Sequence, residues 1–212
     1  MVIAIDGPAG AGKSSVARKV ADSLGFTYLD SGAMYRCVAY TCLDWGADPE
    51  QSGEATSTAE SIEISFDGEE VLIDGVDVTE EIRSHEVSEA ASKVAVHPGV
   101  REAMVKEQRR LIDSGNYVAE GRDIGTVVSP DAPLKVFLTA SPEVRAERRA
   151  EQTGGDAREI LISQLERDKR DTEREHGALK AAEDSVEVDT SELSLDEVVA
   201  KVTALARERG LA

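Results

Sequence analysis

Apolar residues near the start of the chain switch between two spacings. Residues 2–6 form an apolar run that ends in an aspartate, and a glycine-rich turn follows them. Val16, Val20 and Leu24 then recur at the spacing of one helical face, up to Gly25. This order predicts a strand, a loop and a helix.

The same order repeats directly afterwards. Residues 26–30 can form a second strand that ends at Ser31-Gly32. Residues 33–43 support another helix before a glycine and proline break at 46–49. Strands that alternate with helices in this way predict a parallel sheet.

The spacing changes to strict alternation after residue 61. Residues 62–66 alternate between apolar and polar side chains, and residues 71–78 do so again. Asp67-Gly68 and Asp74-Gly75 are dipeptides typical of tight hairpin turns. We therefore expect a small antiparallel insert.

The second half of the chain returns to longer helices and buried strands. Residues 86–112 are mainly helical, with an interruption at 97–99. Strands are predicted at 117–119, 134–138 and 186–188, and the first of these ends in a polar turn at 120–123. Further predictions are an arginine-rich helix from Ser141-Pro142 and a terminal helix that begins with a capping box of Ser194 and Glu197.

Composition limits the classes of protein to which the chain can belong. With 212 residues, of which 41% are hydrophobic, we expect one domain with a small insert. The net charge of -18 argues against a nucleic-acid polymer as partner, because such binding requires a basic surface. No apolar run can cross a bilayer and no charged leader precedes one, which predicts a cytoplasmic protein. Cys37 and Cys42 lack disulfide or zinc spacing, and we expect two buried thiols.

One glycine-rich segment carries a complete phosphate-binding motif, G-x-x-x-x-G-K-[ST], between a predicted strand and a predicted helix. Its members are Gly7, Pro8, Ala9, Gly10, Ala11, Gly12, Lys13 and Ser14. The glycines let backbone N–H groups turn toward a phosphate, Lys13 can reach the β and γ phosphates, and Ser14 can bind Mg²⁺. The loop predicts nucleoside triphosphate binding, and by itself it leaves a small-molecule kinase, a GTPase switch and a motor ATPase open.

Three further segments carry charged residues that could face a second ligand. Segments 30–36 and 121–126 each follow a predicted strand, so both belong at the sheet edge that carries the phosphate loop. In the third segment Arg167, Arg170 and Arg174 are three and four residues apart, which places them on one helical face able to hold phosphates. A solvated helix laced with ion pairs is the alternative. It would use the acidic residues Asp168, Asp171 and Glu175.

Together these segments resemble the bacterial cytidylate kinases over nearly the whole chain. The resemblance is carried by residues 5–8, 29–36, 77–83, 121–128 and 167–174. It implies an α/β fold, the three-layer P-loop NTPase fold with a central parallel sheet, a small antiparallel β insert and a short helical lid. It further implies transfer of the γ-phosphate of ATP to CMP or dCMP, with Mg²⁺ accompanying ATP and no tightly bound metal.

The resemblance also implies roles for individual residues. Arg36, Arg122 and Arg174 would hold the acceptor phosphate, and Ser92, Arg101 and Asp123 would meet the cytosine. Arg167 and Asp171 would reach the ribose or phosphates, and Ser31 would lie against the nucleotide. The residues expected to act in catalysis are Lys13, Arg122, Arg167 and Arg174. Contacts to ATP would extend from the loop to Ser15 and Arg148.

We expect a single P-loop kinase domain, acting as a monomer. Its core would comprise about residues 1–36, 113–145 and 185–212, its monophosphate-binding region about 37–112 and its lid about 146–175. The helix carrying Arg145, Arg148 and Arg149 is expected to close over the phosphates. A kinase for another monophosphate or a small alcohol, and a nucleotide-dependent switch or assembly ATPase, stay open as alternatives.

Overall fold

The computed structural model describes residues 1–211. In chain order, its strands and α-helices are β1 Val2–Asp6, α1 Lys13–Leu24, β2 Thr27–Asp30, α2 Ser31–Trp45, α3 Ser52–Ser61, β3 Ile64–Asp67, β4 Glu70–Ile73, β5 Val76–Asp77, α4 His85–Val94, α5 Pro98–Ile112, β6 Tyr117–Gly121, β7 Leu134–Thr139, α6 Pro142–Thr153, α7 Ala157–Glu173, β8 Val186–Asp189 and α8 Leu195–Glu208. A 3-10 turn at Glu81–Arg83 and a π-helical turn at Ile124–Val128 complete the elements.

The chain divides into two compact units. The sheet unit comprises Met1–Asp30 and Arg109–Ala212, and the insert unit comprises Ser31–Gln108. The expected single kinase domain, with its three regions, stays a prediction.

The sheet unit is built around five parallel strands in the order β2-β6-β1-β7-β8. All five residues of β1 are buried, because helices cover both faces of a parallel sheet. At its carboxyl end Asp6 lies opposite Gly121 of β6 and Phe137 of β7. Segments that leave β1, β6 and β7 therefore begin at the same edge of the sheet, as the sequence predicts.

Apolar side chains from strands and helices form the core of the sheet unit. Ile3 and Ile5 of β1 are completely buried, as are Val20 of α1 and Val202 of α8. α1 packs against α8, which begins with the predicted capping box of Ser194 and Glu197. This core fixes β1 and α1, the two elements that flank the phosphate loop.

The insert unit contains the predicted antiparallel strands in the order β3-β4-β5. Asp74 and Gly75 have φ angles of 51° and 79°, the left-handed pair that a tight two-residue hairpin requires. α2 packs against α3 and α4. The break before α5 also lies where the sequence predicts it, with Pro98 as the first helical residue.

Three element predictions were wrong in detail. Ser31 and Gly32 are already helical, so α2 follows β2 without a loop. Glu120 and Gly121 belong to β6, because their pairing with β1 satisfies the buried backbone. α3 was missed, since its buried residues are only Ala55, Thr58 and Ala59, and such small side chains leave little apolar periodicity.

Cys37 and Cys42 are both buried and form no disulfide, as the sequence predicts. Among residues 1–211, none of the helices combines the length and apolar character needed to cross a membrane.

Candidate active site

The phosphate loop owes its path to glycine at its first position. Gly7 has a φ of 149°, and a Cβ atom there would lie 2.1 Å from the carbonyl oxygen of Leu138 in β7. Gly10 and Gly12 have φ angles of 78° and 85°, which L-residues rarely adopt. The loop therefore runs against the sheet edge and ends at the first turn of α1, as the motif predicts.

Lys13 is buried at the start of α1 and folds back over the loop. Its ammonium group donates a hydrogen bond to the carbonyl oxygen of Pro8 at 2.9 Å. The pKa of Lys13 is lowered to about 7, chiefly by burial and also by the positive charges of Arg122 and Arg167, which the carboxylates of Glu120 and Asp6 oppose. Arg122 and Arg167 therefore both lie within electrostatic reach of Lys13 beside the loop.

Glu120 organises the polar side chains next to Lys13. Burial, followed by the negative charge of Asp30, raises the pKa of Glu120. The hydroxyl groups of Ser14 and Tyr28 both donate hydrogen bonds to its carboxylate. The guanidinium group of Arg18 lies 4.7 Å from the centroid of the Tyr28 ring. The sequence pattern did not single out Tyr28, although the hydroxyl group of a half-buried tyrosine usually needs a hydrogen-bond partner.

The donor atoms near Ser14 suit a magnesium ion that arrives with a nucleotide. They are oxygen atoms, and Mg²⁺ is commonly held by few protein ligands together with substrate phosphates. Residues 1–211 contain no group of three or more His, Cys, Asp and Glu side chains placed to hold a metal by themselves.

Asp171 joins two arginines that the sequence analysis selected. Its carboxylate oxygens lie 2.8 Å from Nε of Arg122 and 2.8 Å from Nη2 of Arg174. Burial would raise the pKa of Asp171, but Arg122 and Arg174 hold it below its usual value. Burial would likewise lower the pKa of Arg122, whereas Asp171, Asp168 and Glu120 raise it. Ion pairs of the kind that the alternative requires are therefore present, but the side chains of Arg174 and Asp171 are buried and do not lie on a solvated face.

Arg145 connects α6 and α7 to the phosphate loop. Its guanidinium group donates to the carbonyl oxygen of Ala9 at 2.9 Å and lies 2.6 Å from a carboxylate oxygen of Asp168. The side-chain amide of Gln164 in α7 donates to the carbonyl oxygen of Arg145 at 3.4 Å. A Cβ atom on Gly10 would meet both Arg145 and Gln164 at 3.0 Å. Sequence spacing alone could not reveal that Arg145 donates a hydrogen bond to the backbone of the phosphate loop.

Two other residues expected to bind ATP lie on α6 and α1. Arg148 donates to the hydroxyl group of Thr190 at 3.0 Å and to its carbonyl oxygen at 2.6 Å. Ser15 is exposed in the first turn of α1. Their contacts with ATP stay predictions. Gly154 ends α6 in a left-handed conformation, and Asp156 caps α7 by accepting from two backbone N–H groups.

The insert unit holds the other four residues expected to bind the acceptor. Ser31 is buried and Arg36 half-buried on α2, and Ser92 is buried on α4, which packs against α2. Arg101 of α5 is only 4% exposed. Its guanidinium carbon lies 5.7 Å from the centroid of the Tyr35 ring, a favourable cation–π geometry that orients the arginine.

Asp6 and Asp123 come close together in the sheet unit. Asp123 is buried directly before the π-helical turn, and its negative charge contributes to the raised pKa of Asp6. In the sequence, Asp6 is visible only as the end of the apolar run before the loop. A charged residue at the end of a wholly apolar strand is the signal that could have drawn attention to it.

Comparison with known proteins identifies the family. The family model for cytidylate kinase matches residues 3–208. Cytidylate kinases from Bacillus velezensis and Rhodococcus opacus are each 48% identical, over 98% and 99% of this chain and 96% of each relative. A gluconokinase structure from Sinorhizobium meliloti shares the fold, with a TM-score of 0.53 at 19% identity over 99% of this chain and 93% of that chain. The chain therefore belongs to the cytidylate kinase family.

Proposed function

We propose that the protein transfers the γ-phosphate of ATP to CMP or dCMP, giving ADP and CDP or dCDP. The observation that supports this most directly is the proximity of Lys13 in the phosphate loop to Arg122 and Arg167. A second cationic group beside a triphosphate loop suits an acceptor that carries its own phosphate. Family membership supports cytidine as the nucleoside.

The phosphate loop binds ATP in this proposal. Residues 7–15 surround the phosphates with backbone N–H groups other than at Pro8, Lys13 contacts the β and γ phosphates, and Arg148 lies against the nucleotide. Ser14 holds Mg²⁺, which neutralises charge on the phosphates when it is bound. Glu120 accepts the Ser14 hydroxyl proton in a hydrogen bond and so orients the oxygen lone pairs of Ser14.

Arginines neutralise the charge that develops during transfer. Phosphoryl transfer spreads negative charge over the moving group, so positioning and neutralisation do most of the catalysis. The guanidinium group suits this task because it is always charged and binds phosphate oxygens bidentately. In the sheet unit we assign Arg122 and Arg174 to the acceptor phosphate, and Arg167 with Asp171 to the ribose or phosphates. In the insert unit we assign Arg36 to the acceptor phosphate.

Cytosine recognition is assigned to Ser92, Arg101 and Asp123, with Ser31 against the nucleotide. The carboxylate of Asp123 can accept a hydrogen bond from the cytosine amino group. Uracil presents a carbonyl oxygen at that position, and burying two acceptors against each other costs about 1 to 3 kcal/mol. This difference favours CMP and dCMP over UMP.

The remaining assignments concern the lid, the oligomeric state and the ligands of the protein. We propose that the helices of the lid, about residues 146–175, close over the phosphates and exclude water. We also propose a cytoplasmic monomer whose ligands are ATP with Mg²⁺ and CMP or dCMP. It would bind neither a nucleic-acid polymer nor a membrane, and would hold no metal without ATP. Size-exclusion chromatography with light scattering tests the monomer.

The test measures ADP formation with ATP, Mg²⁺ and each of CMP, dCMP, UMP and dTMP. We expect CMP and dCMP to be far better acceptors than UMP. Equal turnover of UMP would overturn the cytosine assignment. A reaction without acceptor measures ATP hydrolysis, and calorimetry with CMP alone measures acceptor binding. Hydrolysis without CMP binding would instead favour a nucleotide-dependent switch.

A further inference from the structure

Asp6 reaches from the end of β1 to the backbone that follows the acceptor-binding residues Arg122 and Asp123. Its two carboxylate oxygens accept hydrogen bonds from the backbone N–H groups of Ile124 at 2.9 Å and Gly125 at 2.7 Å. Asp6 is 5% exposed, so water does not substitute easily for either bond. One buried carboxylate therefore ties the strand that leads into the phosphate loop to the segment after β6.

These two N–H groups begin the π-helical turn Ile124–Val128. The first N–H groups of a helical turn have no partner within it and are usually capped by the side chain that precedes it. Asp123 occupies that preceding position, but its side chain does not cap the turn. Asp6, which is remote in sequence, provides the cap instead.

The fit at Gly125 leaves little room for displacement. A Cβ atom on Gly125 would lie 3.2 Å from the side chain of Lys135 and 3.3 Å from a carboxylate oxygen of Asp6. Glycine therefore permits the close approach of this backbone to Asp6. The position of the π-helical turn depends on both residues.

We propose that Asp6 is a positioning residue for the acceptor: it caps the π-helical turn from outside and so fixes the backbone that presents Arg122 and Asp123. The inference rests on the proposed function, because it assigns Arg122 and Asp123 to CMP. Asp6 itself does not touch a substrate. Its loss would misplace the two side chains that do, and a displacement of about 1 Å can reduce activity about a hundredfold.

Charged groups around Asp6 set the pH range in which its carboxylate can accept the two hydrogen bonds from Ile124 and Gly125. Asp123 and Lys13 face it, and Lys135 of β7, paired with Asp184, packs beside Gly125. Burial raises the pKa of Asp6 to about 6; the two backbone hydrogen bonds and Lys13 oppose this, whereas Asp123 adds to it. Only the ionised carboxylate offers acceptors to both N–H groups. The cap that Asp6 provides for the π-helical turn therefore weakens as the pH falls through about 6.

The test compares Asp6→Asn with the wild-type protein in the same assay of CMP phosphorylation. The amide keeps the shape but presents an NH₂ group where an acceptor is needed. We expect the KM for CMP to rise about tenfold or more, while the KM for ATP changes less than about twofold. Gly125→Ala pushes the same backbone away from Asp6. It should likewise raise the KM for CMP and leave the KM for ATP nearly unchanged. Asp22→Asn, an equivalent change on the exposed surface of α1, is the matched control and should behave as wild type.

A pH series separates positioning from a general structural role. The phosphate of CMP also titrates near pH 6, so the informative quantity is the ratio of wild-type to Asp6→Asn kcat/KM at each pH. This ratio should fall toward one as the pH is lowered from about 8 to about 5, because a protonated Asp6 resembles asparagine. A ratio that stays constant, or equal losses for ATP and CMP in both variants, would overturn the inference. Failure of the wild-type protein to phosphorylate CMP would instead overturn the proposed function.

Discussion

The phosphate loop and the arginines joined by Asp171 are both assigned to phosphate binding, but their geometries have different origins. The loop is shaped by backbone, with Gly7 pressed against the carbonyl oxygen of Leu138. The arginines are held in position by side-chain ion pairs. Arg122 and its partner Asp171 are 49 residues apart in sequence. Glycines in one short segment define the first site, whereas the second requires β6 and α7 to be assembled.

The difference implies different sensitivities to mutation. A residue of the loop can be changed in charge without disturbing the path of the backbone. A residue of the arginine cluster supports its neighbours as well as a ligand, because each buried charge there depends on its partner. Loss of the loop charge should therefore affect activity alone, and loss of the cluster carboxylate should affect stability too.

The largest effect is expected for Lys13→Met. We predict a loss of turnover of about a thousandfold, because the β and γ phosphates lose their cation. The melting temperature should not fall, since burial already disfavours the charged form of Lys13. ADP formation and thermal unfolding measure the two quantities. Lys19→Met, on the same helix but at the surface, is the control; a large loss of stability for Lys13→Met would break the comparison.

Asp171→Asn should destabilise the fold by about 3 kcal/mol at neutral pH, because two buried arginines lose their counter-ion. Arg122 and Arg174 lower the pKa of Asp171 below its ordinary value of 3.8. Its contribution to stability is therefore present above that value and is lost as the pH falls through the lowered one. Urea unfolding measures the free energy of unfolding of the wild-type protein and of Asp171→Asn. The difference between the two should be smaller at strongly acidic pH than at neutral pH. A difference that persists unchanged in strong acid would contradict this account.

Arg122→Ala should raise the KM for CMP about a hundredfold and leave the KM for ATP within about threefold. The physical reason is the loss of the bidentate contact to the acceptor phosphate that we propose for this guanidinium group. Steady-state kinetics with each substrate varied in turn measure both constants. Arg158→Ala removes an exposed arginine of α7 and serves as the control. Unchanged CMP kinetics in Arg122→Ala would refute its role.

The smallest effect is expected for Tyr28→Phe. Removal of the hydroxyl group takes one hydrogen bond from the buried carboxylate of Glu120, at a cost of about 1 kcal/mol in stability. Because Glu120 also holds the Ser14 hydroxyl, we expect a higher Mg²⁺ requirement for turnover. Chemical unfolding and a Mg²⁺ titration of the rate test both effects. Tyr117→Phe, at the start of β6, should change neither; the same Mg²⁺ dependence in both variants would disprove the link through Glu120.

Local signals in the sequence predicted much of the fold. The phosphate loop, the hairpin turn at Asp74-Gly75 and the capping box of α8 each depend on residues that are close together in the chain. α3 was missed because alanine and threonine bury little surface, so its periodicity is weak. The end of β6 was misplaced because Glu120 and Gly121 look like a turn until their pairing with β1 is known.

The sequence by itself determined the phosphate loop, most of the strands and helices, and the resemblance to a kinase family, because these depend on neighbouring residues and on motifs. Only the tertiary structure decided which charges meet. It placed Asp171 between Arg122 and Arg174, Arg145 against the loop backbone, and Asp6 at the turn after Asp123. Such pairings follow from burial and from the register of distant strands and helices, which no local pattern specifies.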